Sequence, residues 1–192
     1  PSSKEFSDRQ PSHRPKGRCS PLPGYGPIGA DPDPGTRTLP MPQLRLNHLE
    51  LTLPPGTLAR ERTNLNAFYN DLFGWEGIEV PMVPLQCPKY LLRFDAESSQ
   101  FLFLTEEENA LVSRSFDHIG LLLENRGQVD AALHKCRDWQ QRDNRVEIMD
   151  LQDMDAGMVN NHSFYVRYIL PLWFEVQALE YRPGFAPKKG WR

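Results

Sequence analysis

Phe116-Asp117-His118-Ile119-Gly120-Leu121-Leu122-Leu123 repeats the design of an earlier stretch, Leu46-Asn47-His48-Leu49-Glu50-Leu51-Thr52-Leu53. Each sets a histidine at the start of an apolar run with strand character. Successive side chains of a strand point to opposite faces. His48, Glu50 and Thr52 therefore share one face and Leu49, Leu51 and Leu53 the other, and His118 and Gly120 stand in the same way against Ile119, Leu121 and Leu123. Two histidine-bearing polar faces on copied strands point to one site at the junction of a duplicated unit.

Working outward, Pro54-Pro55-Gly56 breaks the first run, and a helix is expected to begin within residues 57–64. Its apolar face is Leu65, Phe68, Tyr69, Leu72 and Phe73, at helical spacing, and Gly74 supplies a C-terminal stop. Strands are expected at Ile78–Val83, Tyr90–Phe94 and Gln100–Thr105, the last two joined by the turn-like residues 95–99. The second run is followed by a helix over about Gln128–Gln140, with Val129, Ala132, Leu133 and Cys136 on one face. Strands then follow at Arg145–Leu151, Phe164–Ile169 and Leu172–Leu179. The polar stretch Gln152–Asn161 reads as a long connection and a candidate lid. The order β-α-β-β-β thus occurs twice, with His48 and His118 separated by 70 residues and Phe103 and Glu175 by 72.

Composition bounds the rest. With 192 residues and 39% hydrophobic content, the chain can bury one core and carry a tail. Residues 1–42 hold ten of the eighteen prolines, five glycines and no hydrophobic period, so they read as a tail or linker rather than a domain. Met41 directly precedes the patterned region and is a candidate native start. Residues 43–182 form the expected domain, in modules 43–109 and 115–182, and residues 183–192 a C-terminal tail. The tail region carries a net charge of +2 against −5 for residues 43–192, a poor footprint for nucleic acid. No apolar run approaches a membrane span, and the start has no signal-peptide core. Cys19, Cys87 and Cys136 share no C-x-x-C spacing, so a reduced, cytoplasmic protein is expected. Cys136, on an apolar helix face, reads as inert.

On the last strand Trp173, Glu175 and Gln177 share a face, and Phe174, Val176 and Ala178 share the other, while Glu180 has the wrong parity to join Glu175. Tyr165 and Arg167 are in phase on the strand before. A cup lined by His48, His118 and Glu175 offers two imidazoles and one carboxylate, a donor set that leaves metal positions open for substrate or oxygen and also serves catalytic zinc. Glu50 reads either as a base beside the metal or as a salt-bridged cavity residue. Arg167 reads as an anion contact or as the balance of Glu50 or Glu175. Phe103 and Trp173 stand as stacking candidates or as core, and Arg93 is a further cation for an anionic substrate. His162, at a loop end and out of phase with Tyr165, and His134, on a polar helix side, are not expected to ligate.

At Asn47-His48-Leu49-Glu50-Leu51, residues 67–75 (Ala-Phe-Tyr-Asn-Asp-Leu-Phe-Gly-Trp), Asp117-His118-Ile119-Gly120-Leu121, and Phe164-Tyr165-Val166-Arg167 leading to Phe174-Glu175-Val176, the chain resembles the glyoxalase/bleomycin-resistance/extradiol-dioxygenase group, the vicinal oxygen chelate superfamily. The resemblance covers residues 43–182. It implies an α+β fold of two βαβββ modules forming a curved sheet around a divalent metal, with helices outside, ligands His48, His118 and Glu175, and a homodimer. Two departures stand out: the fourth ligand position of glyoxalases falls on Phe103, and the usual Asp-Pro-x-Gly turn is replaced by Tyr168-Ile169-Leu170-Pro171-Leu172. The implied function is a metal-dependent enzyme on a small oxygen-chelating substrate, with extradiol-dioxygenase-like chemistry and Fe(II) placed first, Mn(II), Zn(II) or Ni(II) after it. Glu50, Tyr165 and Arg167 are the catalytic candidates, and Phe103, Trp173 and Arg93 the substrate contacts. The alternatives are a non-catalytic drug-sequestering protein, and a thiol transferase, isomerase or lyase on the same fold.

Overall fold

The leucines of the two histidine-bearing runs dictate the interior: Leu51 and Leu53 are fully buried, while Ile119 and Leu121 pack against the same core. A computed structural model describes residues 46–80, 89–151 and 153–187, and the expectations for residues 1–42 lie outside it. The first module runs β1 (His48–Leu53), α1 (Thr57–Phe73), β2 (Glu76–Glu79), β3 (Lys89–Arg93) and β4 (Phe101–Glu106). The second runs β5 (His118–Leu122), α2 (Arg126–Arg142), β6 (Glu147–Asp150), β7 (Met154–Asp155), β8 (Val159–Arg167) and β9 (Trp173–Tyr181). The sheets are ordered β1-β4-β3-β2 and β5-β9-β8-β6, with β7 added beside β8. In both, the first strand is parallel to the last and lies at the sheet edge. The duplication therefore extends from strand order to register.

Each helix is held by a different device. α1 ends at Gly74, whose φ of 72° suits a residue without Cβ; its N–H and that of Trp75 return to Asn70 and Tyr69 carbonyls. At the other end no side chain of the helix itself caps it. The buried Glu106 of β4 does so instead, accepting from the N–H groups of Gly56 (2.9 Å) and Leu58 (2.5 Å). α2 begins conventionally, with Asn125 Oδ1 accepting from the Gln128 N–H at 3.1 Å.

The apolar sheet faces and the helices share one core. Phe174 of β9 lies against Tyr69, Phe73 and Trp75 of the first module, and Tyr69 donates its hydroxyl to the Tyr168 carbonyl at 2.9 Å. Arg145 ties the modules at the surface, reaching Glu61 of α1 at 3.0 Å as well as Asp143 at 2.7 Å. Full burial of one such aromatic or leucine side chain contributes about 1.5–3 kcal/mol, so this shared layer holds the modules together. No helix among the described residues is long and apolar enough to cross a membrane.

Two local expectations are corrected. The polar stretch Gln152–Asn161 is not one long connection: Met154 and Asp155 pair with Asn161 and Asn160, and β8 already begins at Val159. Consequently His162 does not stand at a loop end but inside β8, buried on the core side. The strand expected at Ile78–Val83 is described as Glu76–Glu79, and residues 81–88 lie outside the described set.

Candidate functional site

His118 and Glu175 come together as the strand phase requires. Gly120 is the register partner of Glu175 and His118 that of Trp173, so the imidazole and the carboxylate rise from adjacent strands on the same face. Gly120 leaves this space open; a Cβ there would stand 2.8 Å from Gln177 Nε2 and 4.0 Å from Glu175 Oε2. His118 Nε2 lies 3.4 Å from Glu175 Oε2. Its Nδ1 lies 2.6 Å from the Phe116 carbonyl oxygen, and because that oxygen only accepts, Nδ1 carries the hydrogen. With Nε2 unprotonated, its lone pair faces the carboxylate. Two lone-pair donors facing each other at this distance call for a proton or a cation between them.

His48 is prepared in the same way, in the other sheet. Asn47 donates its amide to the Ser99 carbonyl at 2.5 Å, which fixes its orientation, and its Oδ1 accepts from His48 Nδ1 at 2.8 Å. The His48 ring is exposed and stacks on Phe101 with centroids 5.1 Å apart. The single chain does not bring His48 to His118 and Glu175: among the described residues no three His, Cys, Asp or Glu side chains stand close enough to share a metal ion.

The other candidates surround these two places. Tyr165 is the register partner of Glu175, and its ring edge meets His118 with centroids 5.2 Å apart. Burial first, then the adjacent Glu175 carboxylate, raises the phenol above its ordinary pKa. Arg167 makes a bidentate pair with Glu147, at 3.0 and 2.7 Å, and its guanidinium covers the Trp173 ring at 4.5 Å. Arg93 pairs with Glu76. Phe103 is the register partner of Glu50 and is covered by Lys89 at 4.9 Å. Thus the two candidate arginines are each met by a glutamate of the neighbouring strand, and the two stacking candidates each lie under a cation. Sequence phase alone places these side chains on their faces; their partners emerge only from the register of β6 against β8 and of β2 against β3.

A residue missed from sequence is Asn161, which reads as loop by composition yet sits on the cup side of β8 and donates Nδ2 to Glu175 Oε1 at 3.4 Å. A cavity of about 400 Å³ is lined by the Arg167–Glu147 pair together with Asn144, Arg145, Ile169 and Pro171. Ile169 has φ of 61°, a strained value for a β-branched residue, where the Leu170 N–H turns back to the Tyr168 carbonyl.

No protein-family model matches the sequence, and no curated protein sequence matches it. Among solved structures, a monoclinic form of the genomically encoded fosfomycin resistance protein FosX of Listeria monocytogenes superposes with a TM-score of 0.50 at 17% identity, over 69% of this chain and 89% of that one. Another form of that protein, a point mutant complexed with Mn(II) and 1S,2S-dihydroxypropylphosphonic acid, gives 0.47 at 16% identity, over 69% and 90%. A glyoxalase family protein of Bacillus anthracis gives 0.46 at 17%, over 74% and 100%. The first of these likenesses shows a shared fold.

Proposed function

We propose that this chain, whose paired βαβββ fold is that of the glyoxalase/vicinal oxygen chelate superfamily, is a divalent-metal enzyme acting on a small substrate with two adjacent oxygens. The observation that carries this reading is the convergence of His118 Nε2 and Glu175 Oε2, with Nδ1 already committed to the Phe116 carbonyl. The donor chemistry fits a divalent ion: two imidazole nitrogens and one carboxylate would hold it once His48 joins, and the Asn47 contact leaves His48 Nε2 equally free. Since the chain keeps His48 apart from the pair, the third ligand would come from His48 of a second copy in a symmetric homodimer. Such an ion, Fe(II) first and Mn(II), Zn(II) or Ni(II) after it, would supply Lewis acidity and a chelation point for the substrate oxygens.

The protein's own side chains do the rest. Glu50, two residues from His48 on the same face, takes a substrate proton as general base. Tyr165 holds the phenolic proton beside Glu175 and orients a substrate oxygen. Arg167 and Arg93, already neutralised by Glu147 and Glu76, shape the wall more than they recruit a doubly charged phosphonate. Their pairing supports the reading of dioxygenase-like chemistry on a catechol ahead of thiol transfer to a phosphonate. A non-catalytic small-molecule binder is the second reading, favoured by the absence of a three-donor group within one copy among the described residues.

Anaerobic reconstitution with Fe(II), followed by oxygen uptake across a panel of catechols, tests the chemistry. Uptake in wild type and none in His118→Ala is the expected result. Metal binding without uptake moves the assignment to transferase or isomerase chemistry; equal, negligible metal in both proteins favours the binder.

A further inference from the structure

Asn161 belongs to the stretch whose composition reads as a loop, yet two observations give it a place in the site. Its Nδ2 donates to Glu175 Oε1 while Oε2 of the same carboxylate faces His118, so the two oxygens of Glu175 are divided between two neighbours. The amide cannot be turned round, because a carboxylate oxygen offers only lone pairs. That leaves Asn161 Oδ1 buried and without a hydrogen-bond partner among the described residues. A buried acceptor with no donor is rare and needs an explanation.

The backbone beneath it is fixed. Asn161 pairs with Met154 on one side and Leu179 on the other, and the next residue, His162, is clamped between two carboxylates on the opposite face. The side chain therefore sits on a rigid rung. The donor–acceptor distance of 3.4 Å is long, as contacts that tighten on loading commonly are.

We propose that Asn161 is a positioning residue for Glu175: by holding Oε1 it leaves Oε2 alone free to bind, so that the carboxylate would ligate through one oxygen. This rests on the metal reading above, and its test separates the two. In the metal-free protein the Asn161 side-chain amide resonances are compared between wild type and Glu175→Gln. A shift in that amide pair shows the contact without any metal; unchanged resonances overturn the proposal. Mn(II) is then titrated by EPR into wild type, Asn161→Ala and Asn161→Asp, with His118→Ala as reference. Weakening of about 10–100-fold in both Asn161 variants, with an altered Mn(II) line shape and thermal unfolding within a few degrees of wild type, supports positioning. Affinity and line shape equal to wild type overturn it. If wild type binds Mn(II) no better than His118→Ala, the metal reading fails, while the amide comparison still decides whether Asn161 positions Glu175.

Discussion

Gly77 shows how one missing methyl group sets local packing. A Cβ at this position would lie 1.8 Å from the Tyr90 hydroxyl oxygen and 2.7 Å from Asn66 Oδ1, which itself accepts from the Gly77 N–H at 2.9 Å. Tyr90 is buried, so its ring has little room to yield. Gly77→Ala is expected to cost about 3 kcal/mol, the upper end for overpacking, and to lower the melting temperature by about 6–12 °C in a domain of this size. Adding Tyr90→Phe removes the nearest atom and recovers part of the loss; no recovery would place the strain elsewhere. A second residue-scale outcome concerns Cys136, which is fully buried and whose thiol burial pushes up to about 12. It should stay unreactive toward a thiol reagent at pH 8 until the protein unfolds. Faces of this kind were legible in the sequence: Cys136, Tyr165, Glu175 and Phe174 all fall where strand or helix phase puts them. What Arg93 and Arg167 touch was not, because Glu76 and Glu147 meet them only through cross-strand register.

Among the elements, α1 depends on a distant strand for its first turn. Glu106→Gln keeps one acceptor but loses the charge at the positive helix end. It should cost about 1–2 kcal/mol, read as a fall of about 2–8 °C in melting temperature. The β7–β8 hairpin depends on His162, 7% exposed, with Asp153 Oδ1 3.0 Å from Nδ1 and Glu180 Oε2 3.2 Å from Nε2. Neither contact has good hydrogen-bond alignment, so both act as charge pairs. Asp153 first, and Glu180 after it, hold the imidazole above its ordinary pKa against the opposing effect of burial. A group with a raised folded-state pKa stabilises fully below its unfolded value, about 6.5, and loses that contribution as pH rises through the folded value. The stability advantage of wild type over His162→Gln should therefore be largest near pH 5.5 and shrink by pH 8.5; an advantage that grows with pH would show that His162 is held neutral. The sequence concealed this hairpin because Asn160, Asn161 and His162 interrupt the alternation by which β8 announces itself. Their strand state comes from the long-range ladder to β9 and not from local preference.

For the whole molecule, the sequence disclosed the duplication but not how its halves meet. Two separate sheets result, joined through helices and a common core, with a histidine exposed on each. A homodimer that shares its sites predicts complementation. His48→Ala and Glu175→Gln should each bind Mn(II) poorly alone, while a refolded equimolar mixture should regain about one quarter of the wild-type sites, because half of the random dimers carry one intact site of two. A monomer by light scattering at micromolar concentration, or a mixture no better than its components, would remove the shared site. The register correspondence of Phe103 with Glu175 then acquires a meaning in the arithmetic of parity. Two identical modules facing each other contribute every donor in pairs, giving two histidines with either two glutamates or none. The proposed three-ligand set requires halves that differ, and Phe103 is where they do. A chain built from two copies of the second module would set a glutamate where Phe103 stands, so the two halves are not interchangeable.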